Sequence, residues 1–293
     1  MKTVTVKKHR VILSVLGIIL ALLFVFAVVG MAMSFHLTVN EYSVKDFRFD
    51  GSVKVCHLTD LHCRKFGKDN LKLIEKIISV SPDVIFMTGD MISLNSSDDE
   101  VKDVCSFIEK CVDIAPVYFS FGNKEKDYIE LNGTDFRNKV AETGAIILDY
   151  SYKDVTVGGQ KIRIGGAYGH LKWNGEWYDE EKTFLDEFNN TNSPTFLLSH
   201  MSEGFLLYDK AGDFNIDYVF CGHSHGGQIR LPFVGGLFTP DAGWFPKYTK
   251  GLFNMGNSTV LLSAGLGTGK NVPRFGNPPE IAVLNINGTA LEQ

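Results

Sequence analysis

The chain has 293 residues, of which 44% are hydrophobic and 22% charged, and its formal net charge is −5 at pH 7. These proportions exclude an intrinsically disordered chain and a membrane protein with many spans. The negative net charge argues against nucleic acid as a partner, because phosphate backbones attract basic surfaces.

The N-terminal region contains one long apolar segment. Residues 11–33 carry no charge and are long enough to cross a bilayer as a helix. Basic residues precede this segment and few follow it, which predicts a cytoplasmic N-terminus and a larger domain on the far side of the membrane. A cleaved signal peptide is the alternative, but its apolar core is usually shorter, and Met31-Ala32-Met33-Ser34 is a poor cleavage site. We therefore expect an uncleaved, single-pass anchor in the cell membrane.

The chain accordingly divides into three parts. A basic cytoplasmic flank and transmembrane anchor occupy residues 1–35, a short polar connector occupies 36–52, and one domain occupies 53–293. The last part has the usual size of a single large α/β domain and is long enough to bury a core.

The first half of this domain alternates short apolar runs with amphipathic segments. The apolar runs predict strands at 53–58, 84–87, 117–119 and 145–148. The amphipathic segments predict helices at 69–80, 99–112 and 134–143, the last closed by Gly144 as a C-terminal cap. The residues expected to face inward are Leu71, Ile74 and Ile78 in the first of these helices, and Val101, Val104, Cys105 and Ile108 in the second. This alternation is typical of a mostly parallel sheet.

The second half is richer in strands. Residues 154–157 and 161–164 flank the turn Gly158-Gly159, which predicts a β-hairpin. One helix is predicted at 179–188, and further strands are predicted at 195–198, 218–221, 228–231, 260–263 and 281–286. Because few helices separate these strands, the pattern favours an α/β fold in which two sheets pack face to face with helices outside.

Polar side chains follow five of the predicted strands. They are Asp60 and His62 after strand 53–58, Asp90 after 84–87, Asn123 after 117–119, His200 after 195–198, and His223 and His225 after 218–221. In α/β sheets ligands bind outside the carboxyl ends of strands, so we expect these side chains in one region. Gly89, Gly122 and Gly222 suit tight exits where the backbone approaches a ligand.

This set of side chains has the chemistry of a metal site. Imidazole, carboxylate and amide oxygen together suit divalent ions such as Mn, Fe, Zn or Ni, among which we favour Mn. Seven ligands exceed the need of one ion and match two ions that share a bridging carboxylate. Two such ions clamp a phosphate and lower the pKa of a shared water. Each motif alone is common, whereas their ordered occurrence after successive strands is not.

The ordered set resembles the calcineurin-like metallophosphoesterase family, whose motifs run D-x-H, G-D, G-N-H-E/D, a lone His, and G-H-x-H. The resemblance covers about residues 53–286 and implies a four-layer α/β/β/α sandwich. It also implies two ligand groups bridged by Asp90, namely Asp60, His62 and His225 for the first ion, and Asn123, His200 and His223 for the second. The anchor, the segment 222–228 and the tail 264–280 are similar to the bacterial membrane-anchored branch, which includes enzymes resembling UDP-diacylglucosamine pyrophosphohydrolases.

One position departs from the family pattern. The motif G-N-H-E appears here as Gly122-Asn123-Lys124-Glu125. The missing His normally stands near the scissile phosphate, where Lys124 would supply positive charge and hydrogen-bond donors. The alternative is that Lys124 points to solvent and that activity is reduced. We treat Lys124 and Asn123 as the candidate catalytic residues, and the metal-ligand prediction does not depend on this choice.

The predicted function is hydrolysis of a phosphate ester or pyrophosphate by metal-activated water. The expected substrate is a phosphorylated small molecule or a lipid-linked compound of the cell envelope. A non-catalytic or weakly active metal- or phosphate-binding membrane protein is the alternative that Lys124 suggests. A single-zinc hydrolase acting on amides is disfavoured, because it needs neither seven ligands nor Asn123.

Other residues carry weaker signals. A surface position is expected for His170, with a place lining the site as the alternative. For Arg274, contact with an anionic substrate group and a solvated position are equally expected. The aromatic residues after the last His motif are expected to be local core, with a lipid-facing or substrate-covering role as the alternative; they are Trp244, Phe245, Tyr248 and Phe253. The five cysteines lack zinc-knuckle spacing, so no required disulfide is expected, although a Cys105–Cys111 link stays open.

Overall fold

The computed structural model describes residues 2–133, 135–172, 175–208, 210–239, 242–268 and 273–288. The strands, in chain order, are β1 (Thr38–Lys45), β2 (Ser52–Leu58), β3 (Val84–Met87), β4 (Val117–Phe119), β5 (Ile146–Ile147), β6 (Ser151–Val157), β7 (Gln160–Ala167), β8 (Thr195–Ser199), β9 (Tyr218–Cys221), β10 (Arg230–Leu231), β11 (Gly235–Gly236), β12 (Phe238–Thr239), β13 (Gly243–Trp244), β14 (Gly251–Met255), β15 (Ser258–Leu262) and β16 (Glu280–Asn287). The α-helices, in chain order, are α1 (Lys2–Met33), α2 (Leu71–Val80), α3 (Asp98–Val112), α4 (Asn123–Asn132), α5 (Asp135–Glu142), α6 (Asp179–Phe188) and α7 (Glu203–Leu206).

Most strands belong to two six-stranded sheets. The first has the order β1-β16-β2-β3-β4-β5, and the second has the order β14-β15-β9-β8-β7-β6. Strands β2 to β5 are parallel to one another, and so are β7, β8, β9 and β15. Parallel strands end at the same edge, so the loops that leave β2, β3 and β4 emerge together, as do those that leave β8 and β9.

The two sheets pack face to face, with helices on both outer faces. Helices α2, α3 and α5 share a buried apolar core with the first sheet, and α6 and α7 share another with the second sheet. A third core lies between the sheets, where the Phe86 ring contacts those of Phe196 and Phe220 at centroid distances of 6.1 and 4.9 Å. The predicted α/β/β/α sandwich is therefore confirmed.

Local sequence accounts for the central elements. Strand β3 consists of four apolar residues that are all buried, as expected for a strand covered on both faces. Helix α3 begins with a capping box, in which the Ser97 hydroxyl accepts the Glu100 N–H and the Glu100 carboxylate accepts the Ser97 N–H. Helix α6 has the predicted bounds, and the predicted hairpin is formed by β6 and β7.

The buried face of α2 differs from the prediction. Leu71 and Ile78 are exposed, whereas Ile74 is buried together with three other apolar residues, which are Leu73, Ile77 and Val80. Both stripes have helical spacing, and the one with more apolar members packs on the sheet. A 3₁₀ turn at Lys68–Asn70 precedes the helix, so the predicted start at residue 69 was also wrong. In α3 the inward positions are confirmed except for Cys105, which is only half buried.

The segment 36–52, predicted as a connector, contributes the edge strand β1. This strand pairs in parallel with β16 from Thr38↔Glu280 to Lys45↔Asn287. Local sequence gives little sign of it, because its backbone partners lie about 240 residues away and its burial is only partial. The first sheet therefore begins at Thr38.

Several smaller elements also differ. Helix α4 and strand β14 were not predicted, and the strand predicted at 228–231 is reduced to β10, one arm of a short hairpin outside the large sheets. Thr134, the predicted start of the third helix, lies outside the described residues, while Gly144 after α5 has the expected positive φ of 87°. All five cysteines are free, so no Cys105–Cys111 link forms.

Helix α1 contains the predicted apolar segment. Residues Ile12–Met33 are long and apolar enough to cross a membrane by length and composition. The C-terminal turns of α1 contact the domain, because Phe26 packs edge-on against Phe275 at 5.4 Å and Ser34 donates to the Arg274 carbonyl at 2.5 Å.

Candidate metal centre

The seven predicted ligands gather where the strand-end loops of both sheets meet. Asp60 and His62 follow β2, Asp90 follows β3, Asn123 begins α4 after β4, His200 follows β8, and His223 and His225 follow β9. The His62 N–H donates to the Asp90 carbonyl at 2.9 Å, which joins neighbouring loops of the first sheet. The His223 N–H donates to the Asp60 carboxylate at 3.0 Å, which joins the two sheets.

The backbone at these positions is strained. Residues with side chains seldom adopt a positive φ, yet five of the predicted ligands do. They are Asp60 (54°), His62 (48°), Asp90 (52°), His223 (67°) and His225 (47°). Such conformations cost about 1–3 kcal/mol each and persist where the surroundings impose them, typically at functional sites.

The first group of side chains consists of Asp60, His62 and His225. The two Nε2 atoms are 3.4 Å apart, and Asp60 Oδ1 lies 4.0 Å from His62 Nε2 and 3.6 Å from His225 Nε2. Ligand atoms about 2.1 Å from a common ion would be separated by about 3–3.5 Å, so the group is close to the spacing of a coordination sphere.

The second group consists of Asp90, His200 and His223, with Asn123 beside them. His200 Nε2 lies 3.2 Å from His223 Nδ1 and 3.5 Å from Asp90 Oδ1. The other Asp90 oxygen, Oδ2, lies 3.7 Å from His62 Nε2 in the first group. Asp90 therefore stands between the two groups, where a bridging carboxylate would be.

The pKa values of the carboxyl and imidazole groups in the centre favour a bound cation. Burial alone would raise the pKa of Asp90, but the adjacent His200 lowers it, so the carboxylate stays ionised. Burial alone would lower the pKa of His200, but Asp90 raises it to about 10. Burial lowers the pKa of His62, and it lowers that of His225 to about 3, so both rings are neutral and can offer a lone pair. A divalent cation would take over the charge that the His200 proton otherwise supplies.

The donor set fits metal ions. The Nδ1 atom of His200 lies 2.7 Å from the Thr88 carbonyl and donates to it, which leaves Nε2 to face the centre, an arrangement typical of metal-binding histidines. One terminal atom of the Asn123 amide lies 3.2 Å from both His200 Nε2 and Asp90 Oδ2. A cation among these atoms would accept lone pairs from all three.

Glu125 supports the centre and was given no role by the sequence analysis. Its buried carboxylate accepts four backbone N–H groups, from Asp90, Met91, Ile92 and Gly122 at 2.7, 2.7, 3.2 and 2.9 Å. It therefore holds the loop that carries Asp90 against the start of α4. Its place in the motif Gly122-Asn123-Lys124-Glu125 was the available signal, but its role depends on a loop more than 30 residues earlier.

The predicted close backbone approaches occur at Gly89, Gly122 and Gly222, and a Cβ on Gly89 would collide with the backbone of Gly122. A Cβ on Gly222 would lie 2.5 Å from Asp60 Oδ2, and a Cβ on Gly122 would collide with Asp90 Oδ1. Both positions need glycine because a carboxylate of the centre fills the space that a side chain would take.

Lys124 lies beside the centre. Its backbone N–H donates to Asp90 Oδ1 at 2.8 Å, and its ammonium forms an ion pair of 3.5 Å with Asp127, one turn along α4. About 22% of the side chain is exposed and its ammonium lies against the Asn123 amide, so the ammonium stands at the mouth of the centre.

The structure also shows the environments of Arg274, His170 and the four aromatic residues. Arg274 is buried and donates to the carbonyls of Ala264, Gly265 and Gly267, so the expectation of a solvated side chain was wrong. His170 is half buried and stacks on Tyr178. The aromatics divide into two pairs, since Tyr248 and Phe253 pack on the core of the second sheet, whereas Trp244 and Phe245 are exposed.

Residues 53–227 match a protein family that is described as Calcineurin-like phosphoesterase. The chain belongs to this family. Like its relatives, it is a metallophosphoesterase, a hydrolase of phosphoric esters.

Relatives extend over most of the chain. A metallophosphoesterase of Campylobacter jejuni, Cj0846, is 29% identical over 95% of this chain and 71% of its own length. The phosphodiesterase YaeI of Escherichia coli is 28% identical over 80% of this chain and 82% of its own. A shorter match, 37% identical over 36% of this chain and 32% of the relative, is to the UDP-2,3-diacylglucosamine pyrophosphatase LpxG of Chlamydia trachomatis.

Substitution of a predicted ligand should remove metal. We expect Asp90→Asn and His223→Ala to lower the metal bound per purified chain and to abolish turnover, because Asp90 stands between both groups and His223 belongs to one. Elemental analysis and metal titration measure the first effect. Asp50→Asn and His36→Ala, both at exposed positions, are the controls and should bind metal like the unmodified chain. Unchanged metal content and turnover in both site variants would contradict the assignment.

Substitution of Glu125 should destabilise the fold. Glu125→Gln replaces one acceptor oxygen by a donor and leaves two buried N–H groups unpaired. We expect the free energy of unfolding to fall by about 2–6 kcal/mol, since each such donor costs about 1–3 kcal/mol. Urea unfolding measures this, with Glu130→Gln on the exposed face of α4 as the control. Equal stability of the two variants would rule out the supporting role.

Proposed function

We propose that this chain is a dinuclear-metal-dependent hydrolase of a phosphate ester or pyrophosphate, with a lipid-linked compound of the cell envelope as its substrate. The observation that carries the proposal is the position of Asp90, 3.5 Å from His200 on one side and 3.7 Å from His62 on the other. One carboxylate within reach of two nitrogen-rich groups is the arrangement that two bridged ions require.

Each predicted residue has a proposed role, either as a metal ligand or as a hydrogen-bond donor to the substrate. Asp60, His62 and His225 would hold one ion, Asn123, His200 and His223 the other, and Asp90 both. The ions, with Mn favoured, would supply a nucleophilic water at neutral pH and neutralise the phosphoryl oxygens. The Lys124 N–H fixes the orientation of Asp90, and the Lys124 ammonium at the mouth would donate to a phosphate oxygen. Asp127 holds that ammonium in place until the substrate competes for it.

The lipid-linked substrate is supported by two observations. The partial relative LpxG is named for a diacylated sugar nucleotide pyrophosphate. Helix α1 has the length and composition of a membrane span, which would keep the centre near a bilayer. We further propose that α1 is an uncleaved anchor and that the domain lies on the extracytoplasmic side.

The proposal is tested by turnover. The full chain in detergent, loaded with Mn²⁺, should hydrolyse a chromogenic phosphodiester, and the Asp90→Asn chain should not. Absence of turnover on phosphodiesters, phosphomonoesters and pyrophosphates, despite two bound ions, would favour the non-catalytic binding protein.

Lys124 provides a second test. If its ammonium assists the departing oxygen, Lys124→Ala should lower turnover by about 10²–10⁴-fold with little loss of metal. The loss should be larger for a substrate with a poor leaving group, and equal losses would point to charge stabilisation instead. Lys124→His should restore activity and shift the pH profile toward neutrality. Lys102→Ala, at an exposed position, is the control. Wild-type turnover by Lys124→Ala on every substrate would show that Lys124 is a solvated residue.

Protease digestion of intact cells tests on which side of the membrane the domain lies. Basic residues precede the apolar segment, so we expect protease added to intact cells or spheroplasts to digest the domain. A cytoplasmic protein in the same cells should survive until lysis. Full protection of the domain before lysis would show the opposite orientation.

A further inference from the structure

The loop at Phe275 packs against α1 inside its apolar segment, and the β10–β11 hairpin lines an apolar pocket together with both. The Phe275 ring lies over Gly30 so closely that a Cβ there would collide with it, and the Gly276 N–H donates to the Gly30 carbonyl at 2.9 Å. Phe26, one turn earlier, contacts the same ring. Together with Phe233 of the hairpin, these residues line a shared apolar pocket.

The position of these contacts along α1 sets their depth in a membrane. Phe26 precedes Met33, the last residue of the apolar segment, by seven positions, which is a rise of about 10 Å along a helix. If α1 spans the bilayer, as proposed above, residues beside Phe26 cannot stand in bulk water. They lie among the upper acyl chains or the head groups.

The surface of the hairpin suits that environment. Residues 231–239 contain no charged side chain. Apolar side chains stand exposed here and on the adjacent β13 strand, and they are Phe233, Val234, Phe238, Trp244 and Phe245. Phe233 is fully exposed and Trp244 is 71% exposed, which is unusual for a patch that faces water. Tryptophan and phenylalanine are typical of the membrane interface.

The backbone of the hairpin is also paired, as an apolar environment requires. Strand β10 pairs with β11, the Arg230 N–H donates to the Phe275 carbonyl at 2.8 Å, and the Val234 N–H donates to the Leu231 carbonyl at 3.3 Å. The charged side chain at the start of the hairpin, Arg230, donates to the Gly226 carbonyl and to the Thr249 hydroxyl.

A cavity of about 640 Å³ lies next to this surface. Its apolar lining comes from the end of α1 and from two loops of the domain, and includes Met31, Phe35, Ile229, Pro273 and Phe275. Two arginines, Arg64 and Arg274, also line it. The Nη1 atom of Arg274 is buried without a hydrogen-bond partner, which leaves a donor for an anionic group.

The same loops carry the metal centre. Arg64 follows His62 by two residues, and Ile229 follows His225 by four. Arg274 donates to the Gly267 carbonyl at 2.6 Å, and the Gly267 N–H donates to the Asp60 carbonyl at 2.5 Å. The cavity thus runs from the end of the anchor to the loops that hold the first ligand group.

We propose that the hairpin and Phe275 are embedded in the bilayer surface and that the cavity receives the hydrocarbon chain of a membrane lipid, whose anionic head group meets Arg64 and Arg274 and so reaches the metal centre. The proposal deepens the proposed function and rests on it for the chemistry, since it assigns a bilayer lipid as the substrate class. The binding of the lipid's hydrocarbon chain in the cavity does not itself depend on turnover.

Photolabelling of the full chain tests this in phosphatidylcholine vesicles that contain a phospholipid with a diazirine in its acyl chain. We expect labelled peptides to include Phe35, Ile229, Phe233 or Phe275 as well as α1. Ile229→Glu should reduce labelling at Phe35 several-fold, because a charge in the cavity excludes hydrocarbon. Phe47→Glu, at an exposed aromatic position far along the chain from the hairpin, should not. If Ile229→Glu fails to fold, the label map of the unmodified chain still decides.

The outcomes separate this inference from the proposed function. Labels confined to residues 12–28 of α1 would overturn the inference even if a soluble phosphodiester is hydrolysed. Labels in the cavity without turnover of any phosphoester would leave the lipid site standing and refute the hydrolase. The Asp90→Asn chain should be labelled like the unmodified chain.

Discussion

The rest of the structure depends on two carboxylates, those of Asp60 and Asp90, that are buried in one place. Burying a charge costs several kcal/mol unless opposite charge accompanies it. His62 stands 4.0 Å from one carboxylate and 3.7 Å from the other, but its ring is neutral because burial lowers its pKa. The proton on His200 offsets only part of the charge. A divalent cation at this centre would offset the remaining charge, and its binding would then contribute to folding as well as to chemistry.

The protein holds this unfavourable arrangement through its backbone. Five of the predicted ligand residues have a positive φ, and at about 1–3 kcal/mol each they cost about as much as the whole stability of an ordinary domain. The strain persists because both sheets are anchored in apolar cores and because the loops are bonded to one another. Glu125 gathers four N–H groups around the Asp90 loop, and Gly122 and Gly222 leave room for the carboxylates. The carboxylates of the centre are thus positioned by residues that are not themselves predicted ligands.

The sequence predicted the sandwich and the gathering of the seven side chains, because both follow from local signals: apolar runs, and polar residues just after them. It failed where the deciding partner is distant in the chain. Strand β1 exists because β16 offers it an edge, and the buried face of α2 was chosen by the sheet between two plausible stripes. The role of Glu125 and the burial of Arg274 likewise depend on loops that meet only in the folded chain. Local patterns therefore identify ligands more readily than the residues that position them.

The end of α1 is built into the same network as the centre. The Ser34 hydroxyl donates to the Arg274 carbonyl, and Arg64 donates to the Ser34 carbonyl at 2.8 Å. The Arg274 guanidinium in turn donates to the Gly267 carbonyl, and the Gly267 N–H donates to the Asp60 carbonyl. A flexible tether would need none of these bonds. These bonds join the helix end to the backbone of Asp60, a predicted ligand, so a membrane-spanning α1 would set the position of the centre relative to the membrane. In the proposed arrangement, the predicted ligands would lie on the same side of the membrane as the end of α1 and would be linked to it by these bonds.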